Sequence, residues 1–174
     1  MKKILLVLSY SGFSGRAIDE AVRSARKEKA TLVALFLLEG GAAESVFDKF
    51  SDIGFMGDRP AEDLSKLVMK ESRQRGYEAL GKVQIKAMEE GVAFEPLLER
   101  GEPVEKVLSI IEKMEITTAV LVKRKRRAFF KYFSRSFADD IAEKASCEVV
   151  VFTDTQEPIK EEKGDVKGVD RGRT

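Results

Sequence analysis

The chain of 174 residues has no histidine, no tryptophan and a single cysteine. Without histidine it lacks the commonest general base, the usual zinc ligand and the Ser-His or Cys-His pairs of many hydrolases. The lone thiol of Cys147 excludes an internal disulfide and suits a reducing compartment. No pair of acidic residues is spaced for general acid–base work either, so we predict a protein that is not an enzyme.

Long hydrophobic runs are also missing. The longest apolar stretches are too short to cross a bilayer, and the opening MKKILLVLSYSG has too short an apolar run for the core of a signal peptide. Hydrophobic residues nevertheless make up 43% of the chain, which is enough for one sizeable core. We expect a cytoplasmic protein with one main domain.

Charge is balanced overall and unevenly distributed. The chain has 31 basic and 30 acidic residues, but a segment between Lys123 and Arg135 is strongly basic and has no acidic residue. Its seven cations are Lys123, Arg124, Lys125, Arg126, Arg127, Lys131 and Arg135, interleaved with Phe129, Phe130, Tyr132 and Phe133. Without these seven cations the chain has 24 basic and 30 acidic residues, so this segment is a candidate site in an otherwise acidic protein.

Five short apolar runs predict strands. They are Lys3–Leu8, Thr31–Leu38, Val92–Glu99, Thr118–Val122 and Glu148–Phe152. Four are nearly continuous in hydrophobicity, as strands of a parallel sheet buried on both faces are. The third contains Pro96, which cannot donate to a ladder, and we place it at a sheet edge.

Helical periodicity separates these runs. The predicted inner faces are Ile18, Ala21, Val22 and Ala25; then, within about Ala61–Glu90, Leu64, Leu67, Val68, Leu80, Val83 and Ala87; then Val104, Val107, Leu108 and Ile111; and finally Phe137, Ile141, Ala142 and Ala145. Strands alternating with helices predict an α/β domain over residues 1–154 with helices on both faces of a parallel sheet. Residues 155–174 are half charged and predict a disordered tail.

This layout resembles the universal stress protein family over roughly Lys2–Thr153. The likeness lies in the opening KKILLVLSYSGFSGRAIDEAVRSARKEKATLVALFLLE, in GEPVEKVLSIIEKMEITTAVLV with its Gly-x-Pro entry at Gly101, and in ADDIAEKASCEVVVF. The resemblance implies an open, Rossmann-like, five-stranded parallel sheet in the order 3-2-1-4-5. It also implies a homodimer, often paired through the last strand, and an ATP site in one branch of the family.

The ATP-binding pattern of that branch is not matched. Ser9 stands where the family has an aspartate at the end of strand one, and Lys123 and Arg126 stand at the first two glycines of the phosphate loop. Glycine in such loops allows the main chain to approach phosphate oxygens closely, and bulky cations block that approach. The candidate cofactor-binding residues are Ser9, Ser11, Gly101, Lys123, Arg124, Arg126, Arg127 and Ser136.

Four interpretations of the basic segment remain open. In the first interpretation, the guanidinium groups of the segment bind a nucleotide or other phosphate ligand, and the helix that starts near Ser136 adds its positive end. Alternatively, the segment contacts an anionic membrane surface or a membrane protein, or, as the least favoured option, nucleic acid. The fourth interpretation, that the aromatic residues pack inward while the charges stay solvated, carries the most weight.

The function we predict is that of a dimeric regulatory or adaptor protein acting through an unidentified protein partner. It needs no metal and no obligatory cofactor in this interpretation. Binding of ATP or another nucleotide through residues 123–136 is the alternative.

Overall fold

The computed structural model describes residues 1–9, 14–39, 58–124 and 137–154, and they form alternating strands and helices. The strands are β1 (Lys3–Ser9), β2 (Thr31–Glu39), β3 (Phe94–Gly101), β4 (Thr118–Arg124) and β5 (Glu148–Asp154). The helices are α1 (Gly15–Glu28), α2 (Asp58–Glu89), α3 (Pro103–Lys113) and α4 (Phe137–Lys144).

The five strands form one parallel sheet in the order β3-β2-β1-β4-β5. The predicted fold class and strand order are confirmed, and Pro96 lies on an edge strand. β1 and β2 are central and almost wholly buried, because parallel strands covered by helices on both faces need apolar side chains on both.

Each face of the sheet has its own core. On one face α1 and α2 pack through Ala21, Val22, Val83 and Ala87 against the even-numbered residues of β1. On the other face α3 and α4 pack against the odd-numbered residues of β1. This division follows from right-handed crossover connections. After β1 and β2 the chain moves towards the β3 edge of the sheet, and after β3 and β4 it moves towards the β5 edge, so the helices of the two pairs of connections lie on opposite faces.

Two details of the predicted helix faces are wrong. Leu67 is 60% exposed, while Met69, two residues further on, packs against the core. In α4, Ala142 is exposed and Ala138 is buried with Ile141. The buried residue lies two positions after the predicted one in α2 and one helical turn before it in α4.

Several predicted strand boundaries also differ from the structure. β3 begins at Phe94 and extends to Gly101, two residues beyond the predicted end. β4 continues through Lys123 and Arg124, also two residues further than predicted. Among the described residues, no helix combines the length and the apolar character that crossing a membrane requires.

Candidate functional site

A crevice opens at the carboxyl ends of β1 and β4. These two strands pair only from Ile4 opposite Thr118 to Leu6 opposite Val120. Beyond that point β1 stays paired with β2 as far as Ser9, and β4 stays paired with β5. The chain leaves β1 towards β2 and leaves β4 towards β5, so this is the topological switch point where open parallel sheets bind ligands.

Ser9 ends β1 on one side of this crevice and is half-buried. Its hydroxyl is neutral at every physiological pH, in contrast to the carboxylate that the resemblance implies at this position. The site therefore has a polar group but no charge at the end of β1.

The main chain on the other side of the crevice belongs to the sheet. Lys123 lies opposite Thr153 and Arg124 lies opposite Asp154 in the parallel ladder between β4 and β5. Extended strand backbone has φ < 0 and alternates its N–H groups across the strand, so it does not form the concave cradle that binds phosphate in glycine-rich loops. The positions expected to hold a phosphate loop thus begin as strand.

Gly101 lies at the same edge of the sheet, but two strands away from β1, at the end of β3. It has a φ of 146°, a conformation that favours glycine. A Cβ on Gly101 would lie 2.9 Å from Lys106 Cε, so the glycine serves the turn into α3. Nothing in this arrangement places Gly101 beside Ser9.

Carboxylates surround the start of α3, a feature that the sequence analysis missed. Glu102 Oε2 accepts a hydrogen bond of 2.7 Å from the backbone N–H of Glu105 and so caps the helix. Glu99 pairs with Lys106 at 3.2 Å. This carboxylate places a negative charge at the positive end of α3 and satisfies one of its backbone N–H groups, which disfavours a phosphate group there. The signal in the sequence is the Gly-Glu-Pro entry itself, with an acidic residue at the cap position.

Ser11, Arg126, Arg127 and Ser136, together with most of the basic segment and the predicted tail, lie outside the described residues. The structure therefore brings Ser9 and the backbone of Lys123 and Arg124 to the crevice and places Gly101 elsewhere on the same edge. Within the described part of the chain, no group of three or more acidic or cysteine side chains is arranged to hold a metal ion.

Cys147 lies just before β5 and packs at the edge of the α3–α4 core. Burial raises the pKa of its thiol, which outweighs the hydrogen bonds to backbone groups of Cys147 and Ala119 that lower it. The neutral thiol is therefore the dominant form at physiological pH, and we assign Cys147 a packing role.

A second concave surface lies outside the crevice, between α2 and the end of β3. This basic groove has a volume of about 1000 Å³ and is lined by Lys66, Met69, Lys70, Arg73, Gln74, Tyr77, Glu78 and Arg100. We did not predict this groove from the sequence. The available signal was the spacing of Lys66, Lys70 and Arg73, which puts three cations on one stripe of a helix.

Comparison of the sequence with known protein families agrees with the fold. The sequence model of the Universal stress protein family matches residues 1–153. The chain belongs to the universal stress protein family. The resemblance noted in the sequence is thus confirmed over nearly all of the described chain.

Individual relatives of this universal stress protein are distant in sequence. Universal stress protein YxiE of Bacillus subtilis (strain 168) is 24% identical over 149 residues, which cover 86% of this chain and 97% of YxiE. The universal stress protein UspA from Lactobacillus plantarum shares the fold with a TM-score of 0.65 at 17% identity, covering 87% of this chain and 97% of that one.

A second solved structure is that of the universal stress protein from Archaeoglobus fulgidus in complex with dAMP. It has a TM-score of 0.52 at 18% identity, covering 87% of this chain and 97% of that chain. At this identity the likeness shows the fold alone.

Proposed function

We propose that this universal stress protein is a regulatory adaptor that acts through dimerisation and protein partners, without the family's ATP site and without catalysis. The observation that carries the proposal is the pairing of Lys123 and Arg124 with β5, which commits backbone expected in a phosphate loop to the sheet. Ser9 in place of a carboxylate supports it from the other side of the crevice. The absence of histidine from the chain supports a non-catalytic role.

Dimerisation is proposed to use β5. This strand is at the end of the sheet, so one side of its backbone has no neighbouring strand within the described part of the chain. An open edge of this kind is a template for pairing with another chain. Val151, in the middle of β5, is 39% exposed and supplies apolar surface at that edge. As part of the same proposal we place the protein in the cytoplasm, which suits a lone unpaired cysteine.

Binding of a nucleotide through residues 123–136 is the second candidate function. The dAMP complex of the Archaeoglobus fulgidus protein supports it, because the two chains share the fold. In this alternative Arg126 and Arg127 replace backbone amides as phosphate ligands, since guanidinium groups bind phosphate oxygens in a bidentate manner.

A thermal-shift panel of ATP, cAMP and dAMP separates the two candidates. The adaptor proposal predicts no rise in melting temperature with any of them. Nucleotide binding predicts a rise of roughly 5–10 °C at about one hundred times the dissociation constant. That rise would disappear in the double variant Arg126→Ala/Arg127→Ala and persist in the matched control Lys27→Ala/Lys113→Ala, which removes two exposed cations elsewhere.

A further inference from the structure

The basic groove has one wall formed by α2 and the other formed by the end of β3. The face of β3 towards α2 carries Phe94, Leu98 and Arg100, because alternate residues of a strand share a face. Phe94 and Leu98 pack against the core there. Arg100 is the exposed end of this row. On the helix wall, Met69 packs against the same core, so the groove has an apolar floor beneath its charged rim.

Four cations line this groove: Lys66, Lys70, Arg73 and Arg100. None of them has an ion-pair partner among the residues that the structure describes. Six cations elsewhere in the described chain form ion pairs, as Arg75 does with Glu71 on another face of α2. Unpaired like charges gathered in a concave surface create a positive potential that favours an anionic occupant.

Among the residues that the structure describes, the one acidic side chain lining the groove lies at one end of it. Glu78 accepts a hydrogen bond of 3.5 Å from Gln74, one turn earlier in α2. The cationic part therefore extends from Lys66 to Arg73, with Arg100 across from it. Tyr77, 63% exposed, lies between the cationic part and Glu78 and offers an aromatic face.

The length of the groove distinguishes between kinds of anion. Twelve residue steps from Lys66 to Glu78 correspond to about 18 Å along the helix axis. Lys66 and Lys70 are about 6 Å apart along that axis, close to the spacing of about 6.8 Å between side chains on one side of an extended peptide. An open groove with an exposed tyrosine, a methionine and two arginines suits a protein interface, where these residue types are enriched, better than it suits an enclosed and mostly apolar small-ligand pocket.

We propose that the basic groove binds an extended acidic segment of a partner protein, with carboxylates at alternate positions facing Lys66, Lys70, Arg73 and Arg100. This inference rests on the proposed function, which requires a partner, and it names the class of that partner. Tyr77 and Met69 contact the apolar parts of the segment. Electrostatic attraction sets the association rate and makes the affinity sensitive to salt.

Fluorescence anisotropy with a labelled peptide tests the proposal. The probe is a 12-residue peptide that alternates glutamate with serine, and its control has glutamine in place of every glutamate. We expect the glutamate peptide to bind the full chain, the glutamine peptide not to bind, and the affinity to fall as NaCl is raised. Absence of binding up to about 1 mM peptide at low salt would overturn the proposal.

Two double variants locate the binding site. Lys70→Gln/Arg73→Gln is expected to weaken binding of the glutamate peptide by about tenfold, the effect of two lost ion pairs. Lys27→Gln/Lys113→Gln removes the same charge far from the groove and is expected to leave the affinity unchanged. Equal losses in both variants would contradict the proposal, because they would show a response to net charge alone. Circular dichroism checks that all the variants are folded.

Inorganic pyrophosphate serves as the small-anion competitor. If it displaces the peptide from the wild type with higher affinity and with the same dependence on Lys70 and Arg73, the groove is a small-anion site and the peptide proposal is overturned. The nucleotide panel and the dimer measurement do not involve the groove. A negative peptide result with a dimer and no nucleotide shift therefore contradicts this inference alone and leaves the adaptor proposal standing.

Discussion

Gly76 of α2 lies directly against the ring of Phe36 in β2. A Cβ built on Gly76 would be 2.8 Å from Phe36 Cδ1 and 2.7 Å from Leu98 Cδ1, closer than carbon atoms approach without displacement. Phe36 is itself only 2% exposed and has no room to move outward. The missing side chain at residue 76 therefore sets how closely α2 packs on the sheet, and with it the wall of the basic groove.

The variant Gly76→Ala is expected to lower the free energy of unfolding by about 1–3 kcal/mol, as overpacking of a tight core does. The matched control is Gly81→Ala on the same helix, where a new Cβ meets no atom within 4 Å. It should raise the free energy of unfolding by about 0.5–1 kcal/mol through helix propensity. Urea denaturation measures both. Stabilisation by both substitutions would show that α2 does not make the close approach described here.

The fold was predictable because its signal is local and repeated. The runs that became β1, β2, β4 and β5 are apolar on both faces, and Pro96 marked β3 as an edge strand. The helical faces of α1 and α3 followed from their spacing. These patterns depend only on which residues are apolar, which the sequence states directly.

The errors arose where position in the fold decides burial. α2 is 32 residues long, and Leu67 in its first half faces outward although it is as apolar as the buried Leu80. In α4, alanines at 138 and 142 are equivalent to a periodicity argument, and only packing against α3 selects Ala138.

The candidate site was predictable only in part. Ser9 and Lys123 were identified from a departure from a family pattern, and the structure places both at the ends of central strands. The basic groove needed Arg100 and Lys70, thirty residues apart in sequence, to be brought together by the packing of β3 against α2. No local sequence pattern predicts that these two residues lie close together.

The dimer is tested by Val151→Lys. A lysine on an edge strand opposes strand pairing, because its charge would be buried between the two chains. We expect the dimer dissociation constant, measured by sedimentation equilibrium, to rise by about tenfold or more. Ile85→Lys is the control, since Ile85 is 59% exposed on α2, away from β5. A wild type that is monomeric at high concentration, or equal effects of the two substitutions, would refute association through β5.

The thiol of Cys147 is expected to react slowly at neutral pH. Burial raises its pKa, so the folded protein holds the proton more tightly than the unfolded chain does. Labelling by iodoacetamide should be slower than in urea-unfolded protein at pH 7 and should accelerate as the pH rises above the ordinary range of a thiol. Because the pKa of Cys147 is higher in the folded protein than in the unfolded chain, the thiol's contribution to the free energy of unfolding is fully present below the pKa of the unfolded thiol. That contribution is lost as the pH rises through the pKa of the folded thiol. Faster labelling of the folded form at pH 7 would contradict this account.

The cap of α3 is tested by Glu102→Ala. This change removes the carboxylate that accepts a hydrogen bond from the Glu105 backbone at 2.7 Å and should cost about 1 kcal/mol in the free energy of unfolding. Glu102→Asp keeps a carboxylate at a position where aspartate is a preferred cap, and should cost less than half as much. Thermal denaturation distinguishes the two. Equal losses would mean that the contact does not stabilise the helix.

The central proposal is that the protein has no ATP site, because Lys123 and Arg124 pair with β5 where a phosphate loop would begin. A crystal of the protein soaked with ATP and magnesium ions tests this most directly, through the difference density beside residues 122–127. We predict that no triphosphate is held there by main-chain nitrogens, and that Lys123 and Arg124 stay paired with β5. A triphosphate bound by peptide N–H groups after β4, with that pairing broken, would contradict the account.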